Sequence, residues 1–140
     1  MNREEIMGFL PHRPPMMLLD ELSLDDQGLA HGLYRVRGDE AFLQGHFPGF
    51  PVVPGVVLCE IIAQSAGALV EAHLREGYTP LFAGIDSVRF KRMVRPGDIV
   101  HTICEPLRIS GQLIKVKGSA MVAGDICAQG VFLMMLSQVA

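Results

Sequence analysis

Residues 54 to 77, PGVVLCEIIAQSAGALVEAHLREG, limit what this chain can fold into more than any other segment. Read as a helix, they place apolar side chains on nearly every side as far as Val70, followed by a polar last turn. A surface helix needs only an apolar stripe, so one that is apolar all round must be enclosed by other elements. Pro54 suits the first helical position, where its missing N–H costs nothing, and Gly77 suits the stop. At 1.5 Å per residue the segment would span roughly 30 Å, the full width of a domain of this size. The enclosure is protein and not lipid. A membrane span needs about 20 consecutive apolar residues, and residues 55 to 74 contain Glu60, Gln64, Ser65, Glu71 and His73.

The rest of the chain supplies what would wrap the helix. After Gly77 come four runs that read as strands, LFAGIDSVRF, DIVHTICEPL, QLIKVKGSAMVA and DICAQGVFLMML, separated by the turns RPGD, ISGQ and AGD. In the third, Ile114, Val116, Gly118, Ala120 and Val122 alternate with Lys115, Lys117, Ser119 and Met121, which gives one core face and one mostly solvent face of an antiparallel sheet. Upstream, MMLLDEL and AHGLYRV read as extended segments around the turn DDQG, and residues 3 to 9 as a short amphipathic helix stopped by PHRPP. One buried helix followed by hairpin strands defines an α+β domain with the sheet around the helix. Its 140 residues suit a single domain, 1–140.

Hydrophobic residues make up 49% of the chain, more than a small monomer needs for its own interior, which points to a subunit interface or a lined pocket. Cys59, Cys104 and Cys127 are widely separated, with no C-x-x-C pair and no histidines at zinc-finger spacing. They read as buried thiols, not as a disulfide framework or metal site. A net charge of −3 gives no general attraction to nucleic acid or to an anionic membrane. MNREEIMGFLPHRPP shows no cleavage site after an apolar core, so a cytoplasmic location is expected.

Chemistry concentrates in GHFPGFPVVPGVVLCE, residues 45 to 60, where His46 and Glu60 are the only ionisable groups apart from Cys59. Glycines and prolines stiffen the loop around His46. With Pro54 opening the helix, the N–H groups of Gly55 and Val56 have no partner inside it and point from its positive end, ready for an oxygen that gains negative charge. Gly55 would let a ligand carbonyl come close. Glu60 lies two turns in, among Val56, Val57, Ile61 and Ala63, where burial favours the protonated carboxyl. An imidazole, a carboxylic acid and free amides suit removal of water from a 3-hydroxyacyl thioester, with a base at C2, an acid at the C3 hydroxyl and donors for the thioester oxygen. Spacing alone leaves open that His46 is a hydrogen-bonded loop residue and that Glu60 only pairs with a neighbour.

Three blocks in order, LPHRPPMMLLD, GHFPGFPVVPGVVLCEIIAQSAG and FAGIDSVRFKRMVRPGD, resemble the signatures of the bacterial 3-hydroxyacyl-acyl carrier protein dehydratases of type II fatty acid synthesis. The resemblance covers essentially the whole chain. It implies a hotdog fold, a catalytic pair formed by His46 and Glu60, a dimer whose sites are shared between subunits, possible assembly of three dimers into a hexamer, and no metal or organic cofactor. Glu at position 60, where the isomerising relatives carry Asp, implies the non-isomerising kind. Phe47 beside His46, with Gly55 and Val56, is expected to meet the substrate. The chain departs from the pattern at Pro14, Met16, Glu21, Leu81, Met93 and Arg95, which bears on acyl chain length and tunnel gating and leaves the catalytic pair intact.

Arg89, Lys91, Arg92 and Arg95 form a cation cluster in an acidic protein, suited to docking the strongly acidic acyl carrier protein; a solvated strand carrying charge against edge pairing is the alternative. Without aromatic stacking residues beside these cations, nucleic-acid binding is not expected. Met16, Met17, Met134 and Met135 could line an acyl tunnel or simply fill the core. His12 and Arg13 suggest a structural role near an interface, and His31, His73 and His101 show no convincing metal spacing. A hotdog thioesterase, which would not need His46, and a non-catalytic acyl-binding subunit, which would need neither ionisable group, are the competing readings.

Overall fold

A computed structural model describes residues 1–71 and 77–138. In chain order the elements are α1 (Arg3–Met7), β1 (Glu21–Leu24), β2 (Ala30–Arg35), a 3-10 turn (Ala41–Leu43), α2 (Gly55–Ser65), α3 (Gly67–Val70), β3 (Tyr78–Phe90), β4 (Ile99–Ser110), β5 (Leu113–Val122) and β6 (Asp125–Gln138). The six strands form one sheet in the order β1-β2-β4-β5-β6-β3, antiparallel at every step. The sheet wraps α2, which packs against β2, β4, β5 and β6. This is the α+β, helix-in-sheet arrangement expected from the sequence.

The helix is buried on more than one side, because Ile61 and Ile62, consecutive and therefore about 100° apart around the axis, are both fully inaccessible. Each such side chain contributes roughly 1.5–3 kcal/mol on burial. The sheet approaches so closely that a Cβ on Gly118 of β5 would overlap the Ile62 side chain, and one on Gly32 of β2 would overlap Ser65 and Thr102. On β5, Ile114, Val116, Gly118, Ala120 and Val122 all face inward and are buried, as their alternation requires.

Two details of the helix differ from the sequence reading. Pro54 is extended (φ −57°, ψ 140°) and caps the helix, so Gly55 is its first residue. Pro54 can sit there because its carbonyl, not its nitrogen, is what the helix needs: it accepts from Val57 N–H at 2.9 Å and Leu58 N–H at 3.2 Å. The helix is also interrupted at Ala66 (φ −65°, ψ −12°), which separates α2 from α3. There the Leu69 N–H reaches Ala66 O at 2.9 Å, a tighter three-residue step. The expected last turn of the helix falls largely on residues 72–76, including His73, outside the described residues.

β3 breaks the inside–outside pattern of the other long strands. It sits at the end of the strand order, paired with β6 alone, and exposes Leu81, Phe82, Ile85 and Phe90, each more than 40% accessible. A long apolar edge strand is a ready template for pairing with another chain.

Candidate active site

The loop that carries His46 is rooted in a buried carboxylate. Glu40 accepts hydrogen bonds from the Tyr34 hydroxyl (2.7 Å), the Arg37 N–H (3.0 Å) and the Gly38 N–H (2.7 Å). Burial pushes the Glu40 carboxyl up, but these bonds outweigh it and hold the group below its ordinary value. From this anchor Leu43 N–H reaches Glu40 O (3.1 Å) and His46 N–H reaches Leu43 O (3.1 Å). Phe47 and Phe50 then exchange two backbone bonds of 3.0 and 2.9 Å, and Val52 N–H returns to His46 O (2.8 Å), so the loop closes on its own backbone.

That closure sets the chemistry of His46. Its Nδ1 lies 2.9 Å from the Val52 carbonyl oxygen, which can only accept, so Nδ1 carries the proton and Nε2 of the neutral ring keeps a free lone pair. The ring is stacked on Phe47, centroids 4.3 Å apart. It lines a cleft of about 590 Å³ together with Gly55, Val56, Phe90, Lys91 and Arg92. The N–H groups of Gly55 and Val56 precede the first helical hydrogen bonds, which begin at Val57. Val56 is 75% exposed and Phe47 55%, so both are open to a ligand or partner. Gly55 has a further reason to lack a side chain, because a Cβ there would stand 2.8 Å from the Phe90 ring. Nothing in the local sequence announces that contact, which joins residues 35 positions apart.

Glu60 faces a different space. Its side chain is about one quarter exposed and lines a cavity of about 50 Å³ with His12, Gln64, Phe82 and Met134. This volume holds water but not an acyl chain. Glu60 Oε2 accepts a hydrogen bond from Gln64 Nε2 at 2.8 Å and lies 3.5 Å from His12 Nε2. Of the neighbours expected from sequence, Val56, Val57, Ile61 and Ala63, Ala63 lines this cavity with Glu60, whereas Val56 borders the His46 cleft, and the nearest polar groups are Gln64 and His12. His12 comes from the segment before β1 and was visible only as part of a motif without assigned chemistry. Within one chain His46 and Glu60 line separate cavities.

The four basic residues are not equivalent. Lys91 and Arg92 border the His46 cleft. Arg92 is tied to Asp125 Oδ2 (2.7 Å) and Val122 O (3.2 Å), and the Arg95 guanidinium sits 4.2 Å above the Phe50 ring. Arg89 is exposed on β3, away from the cleft lining. All three cysteines are free and buried, and burial raises the Cys59 thiol, which disfavours the thiolate beside Glu60. On the far side, His31 and His101 meet at 3.1 Å, with His31 also 2.7 Å from Asp25, a pairing that strand register creates and spacing does not show. Among the described residues no group of three or more ligands could hold a metal ion, and no helix is long and apolar enough to cross a membrane.

A six-stranded antiparallel sheet wrapped around one buried helix is the hotdog fold. The dehydratase ApeI:P heterocomplex of Xenorhabdus doucetiae superposes with a TM-score of 0.81 at 20% identity, covering 95% of this chain and 91% of that one. The fluoroacetyl-CoA thioesterase FlK superposes with a TM-score of 0.70 at 16% identity, covering 79% and 87%. Such likeness shows the fold and does not choose between dehydratase and thioesterase. Sequence does choose. A family model described as ApeI-like, ApeI dehydratase, matches residues 24–125. The 3-hydroxyacyl-[acyl-carrier-protein] dehydratase FabZ of Petrotoga mobilis is 43% identical over 129 residues, 92% of this chain and 93% of the relative. FabZ of Bacillus licheniformis is 39% identical over 140 residues, 99% and 97%. The chain belongs to the FabZ family of 3-hydroxyacyl-[acyl-carrier-protein] dehydratases, within the reach of the ApeI-like family model.

Proposed function

We propose that this protein removes water from (3R)-3-hydroxyacyl thioesters of acyl carrier protein, giving trans-2-enoyl thioesters in fatty acid synthesis. His46 Nε2 takes the C2 proton. Glu60 gives its proton to the C3 hydroxyl, the C3–O bond breaks and water leaves, while the electrons of the former C2–H bond form the double bond. The N–H of Gly55, helped by Val56, polarises the thioester carbonyl as charge gathers on its oxygen. Phe47 and Val56 present apolar surface to the acyl chain, and Lys91 and Arg92 face the carrier, with Arg89 and Arg95 at a greater remove. The steps require no metal or organic cofactor. Glu60 in place of Asp favours dehydration without isomerisation.

The observation that carries this reading is the Val52 carbonyl on His46 Nδ1, which leaves Nε2 bare at the mouth of a cleft large enough for a thioester arm. The separation of Glu60 from that cleft supports a homodimer in which the His46 of one subunit meets the Glu60 of the other. The exposed apolar residues of the β3 edge support the same assembly.

The test follows enoyl absorbance and thiol release with a 3-hydroxyacyl thioester. Enoyl product in the wild type, lost in His46→Ala and in Glu60→Gln, is the expected result. Thiol release without enoyl product would replace the reading with a thioesterase, and no turnover would replace it with an acyl-binding subunit.

A further inference from the structure

We propose that Gln64 and His12 are positioning residues that hold Glu60 through Oε2 alone, so that Oε1 is the oxygen that carries and delivers the proton. The inference rests on the catalytic role given to Glu60 above and deepens it to the level of the individual oxygen.

Gln64 is buried, 2% exposed, and its orientation is forced. Its Oε1 accepts from the Leu18 N–H at 2.9 Å, so its NH2 end must face the other way. The two amide hydrogens go to Met16 O at 2.7 Å and to Glu60 Oε2 at 2.8 Å. Turning the amide over would set NH2 against the Leu18 N–H and oxygen against the Met16 carbonyl, a clash of like groups at both ends. Toward Glu60, therefore, Gln64 can only donate.

His12 makes the same demand from the opposite side. Its Nδ1 is sealed from solvent and has no hydrogen-bond partner among the described residues. A proton placed there would leave a buried N–H unmatched, so the neutral ring keeps its proton on Nε2. That nitrogen lies 3.5 Å from Glu60 Oε2. Oε2 thus accepts the Gln64 N–H and faces the His12 Nε2–H from 3.5 Å, and a carboxylic acid that kept its own hydrogen on that oxygen would set it against both. The proton belongs on Oε1. When it leaves, the charge that develops is shared with an oxygen that already accepts the Gln64 hydrogen bond and has the His12 ring nitrogen nearby.

Few other charges intrude. Arg13, next to His12, is exposed and turned to the Leu10 and His12 carbonyl oxygens at 2.9 and 2.7 Å. Val70, Pro80, Phe82 and Met134, which close the cavity from α3, β3 and β6, carry no ionisable group. Cys59, the neighbour of Glu60 on α2, is buried and not part of the cavity lining.

The experiment compares His12→Leu, which removes the donor, with His12→Gln, which can return an N–H to the same place, in the whole protein acting on a 3-hydroxyacyl carrier substrate. Loss of a donor to a charged group predicts a fall in kcat of roughly five- to ten-fold for His12→Leu, with KM little changed. One limb of its pH–kcat profile should move to higher pH, because an acid that loses a donor to its anion holds its proton longer. His12→Gln should recover most of the rate and the wild-type profile. If His12→Leu does not fold, His12→Asn, whose shorter amide withdraws the donor, carries the same test. A wild-type rate and profile in His12→Leu or His12→Asn, alongside an inactive Glu60→Gln, would overturn this inference and leave the proposed reaction standing. So would equal losses in His12→Leu and His12→Gln with an unshifted profile, the mark of a purely structural role. An active Glu60→Gln, or a wild type that forms no enoyl product, would instead remove the reaction on which the inference depends.

Discussion

The loop that carries His46 and the helix that carries Glu60 hold their side chains by different means. His46 is oriented by a main-chain carbonyl, that of Val52, within a loop closed by backbone bonds, and it borders a wide cleft. Glu60 stands on a regular helix and is oriented by other side chains, Gln64 and His12, in a cavity barely larger than a water or two. A side chain held by backbone is insensitive to most substitutions around it, provided the loop keeps its shape. One held by side chains can be retuned by a single substitution. His46, the proposed base, is thus held by the backbone and Glu60, the proposed acid, by side chains that single substitutions can change, and within one chain the two line separate cavities.

The sharpest way to break that division is to put its two halves on different chains. Singly, His46→Ala and Glu60→Gln should each lower dehydration by about 10²–10⁴, the usual worth of a general base or acid. Co-expressed and assembled into mixed dimers, the two inactive variants should regain activity, because one of the two sites then combines an intact His46 with an intact Glu60 from the other subunit. Turnover measured on the purified mixed dimer decides the matter. Failure to regain activity while dimers form would mean that each chain assembles its own site by a rearrangement of loop against helix.

The same contrast explains which parts of the molecule could be read from the residues alone. The alternation of β5 and the all-round apolarity of α2 are local and periodic, so both were legible, whereas the placing of His46 and Glu60 in separate cavities was not. Nor were the partners of Glu60. Gln64 reads as one more helical residue, and two of its three hydrogen bonds reach Met16 and Leu18, nearly fifty positions away. Its neighbour His12 is brought in by the same long return of the chain. β3 defeats the inside–outside reading for another reason: at the end of the strand order, Leu81, Phe82, Ile85 and Phe90 stay exposed, so alternation toward one core does not describe it.

Next in size is an effect on the root of the His46 loop. Glu40→Gln keeps the shape of the side chain but removes the charge that three donors address, and it should cost about 1–3 kcal/mol of stability, read from urea or thermal unfolding. The native Glu40 carboxyl is held below its ordinary value. Its contribution is therefore fully present above the ordinary carboxyl range and is lost as pH falls through the lowered native value, since the unfolded chain takes up the proton first. The wild type should lose stability in acid more steeply than Glu40→Gln.

A smaller effect probes the helix start that the two halves share. Gly55→Ala places a methyl group 2.8 Å from the Phe90 ring. Phe90 is about half exposed and can swing aside, which puts the cost near the low end of overpacking, about 1 kcal/mol in thermal unfolding. The displaced ring has the His46 cleft to move into, because it already lines it. KM should therefore rise, with a smaller change in kcat. An unchanged KM would show that the ring moves outward and that the cleft does not accept the thioester arm.

The smallest predicted effect separates the cations at the cleft. Lys91 and Arg92 both border it, but Arg92 is held by Asp125 and the Val122 carbonyl, whereas no acidic partner lies within ion-pair distance of Lys91 among the described residues. An exposed charge with no partner is the one that can be spent on an approaching acidic carrier, and its reach is limited by screening to about 10 Å at 0.1 M salt. Lys91→Ala should raise KM for the carrier-bound substrate by a few-fold at low salt. The difference should disappear as salt increases, and it should be absent with a thioester that has no carrier attached. Arg92→Ala should instead show most of its effect in thermal unfolding, because the charge it removes is already engaged within the chain. If the two variants behave alike with the carrier-bound substrate, the Asp125 pair opens when the carrier docks, and the cleft's cations act as one patch.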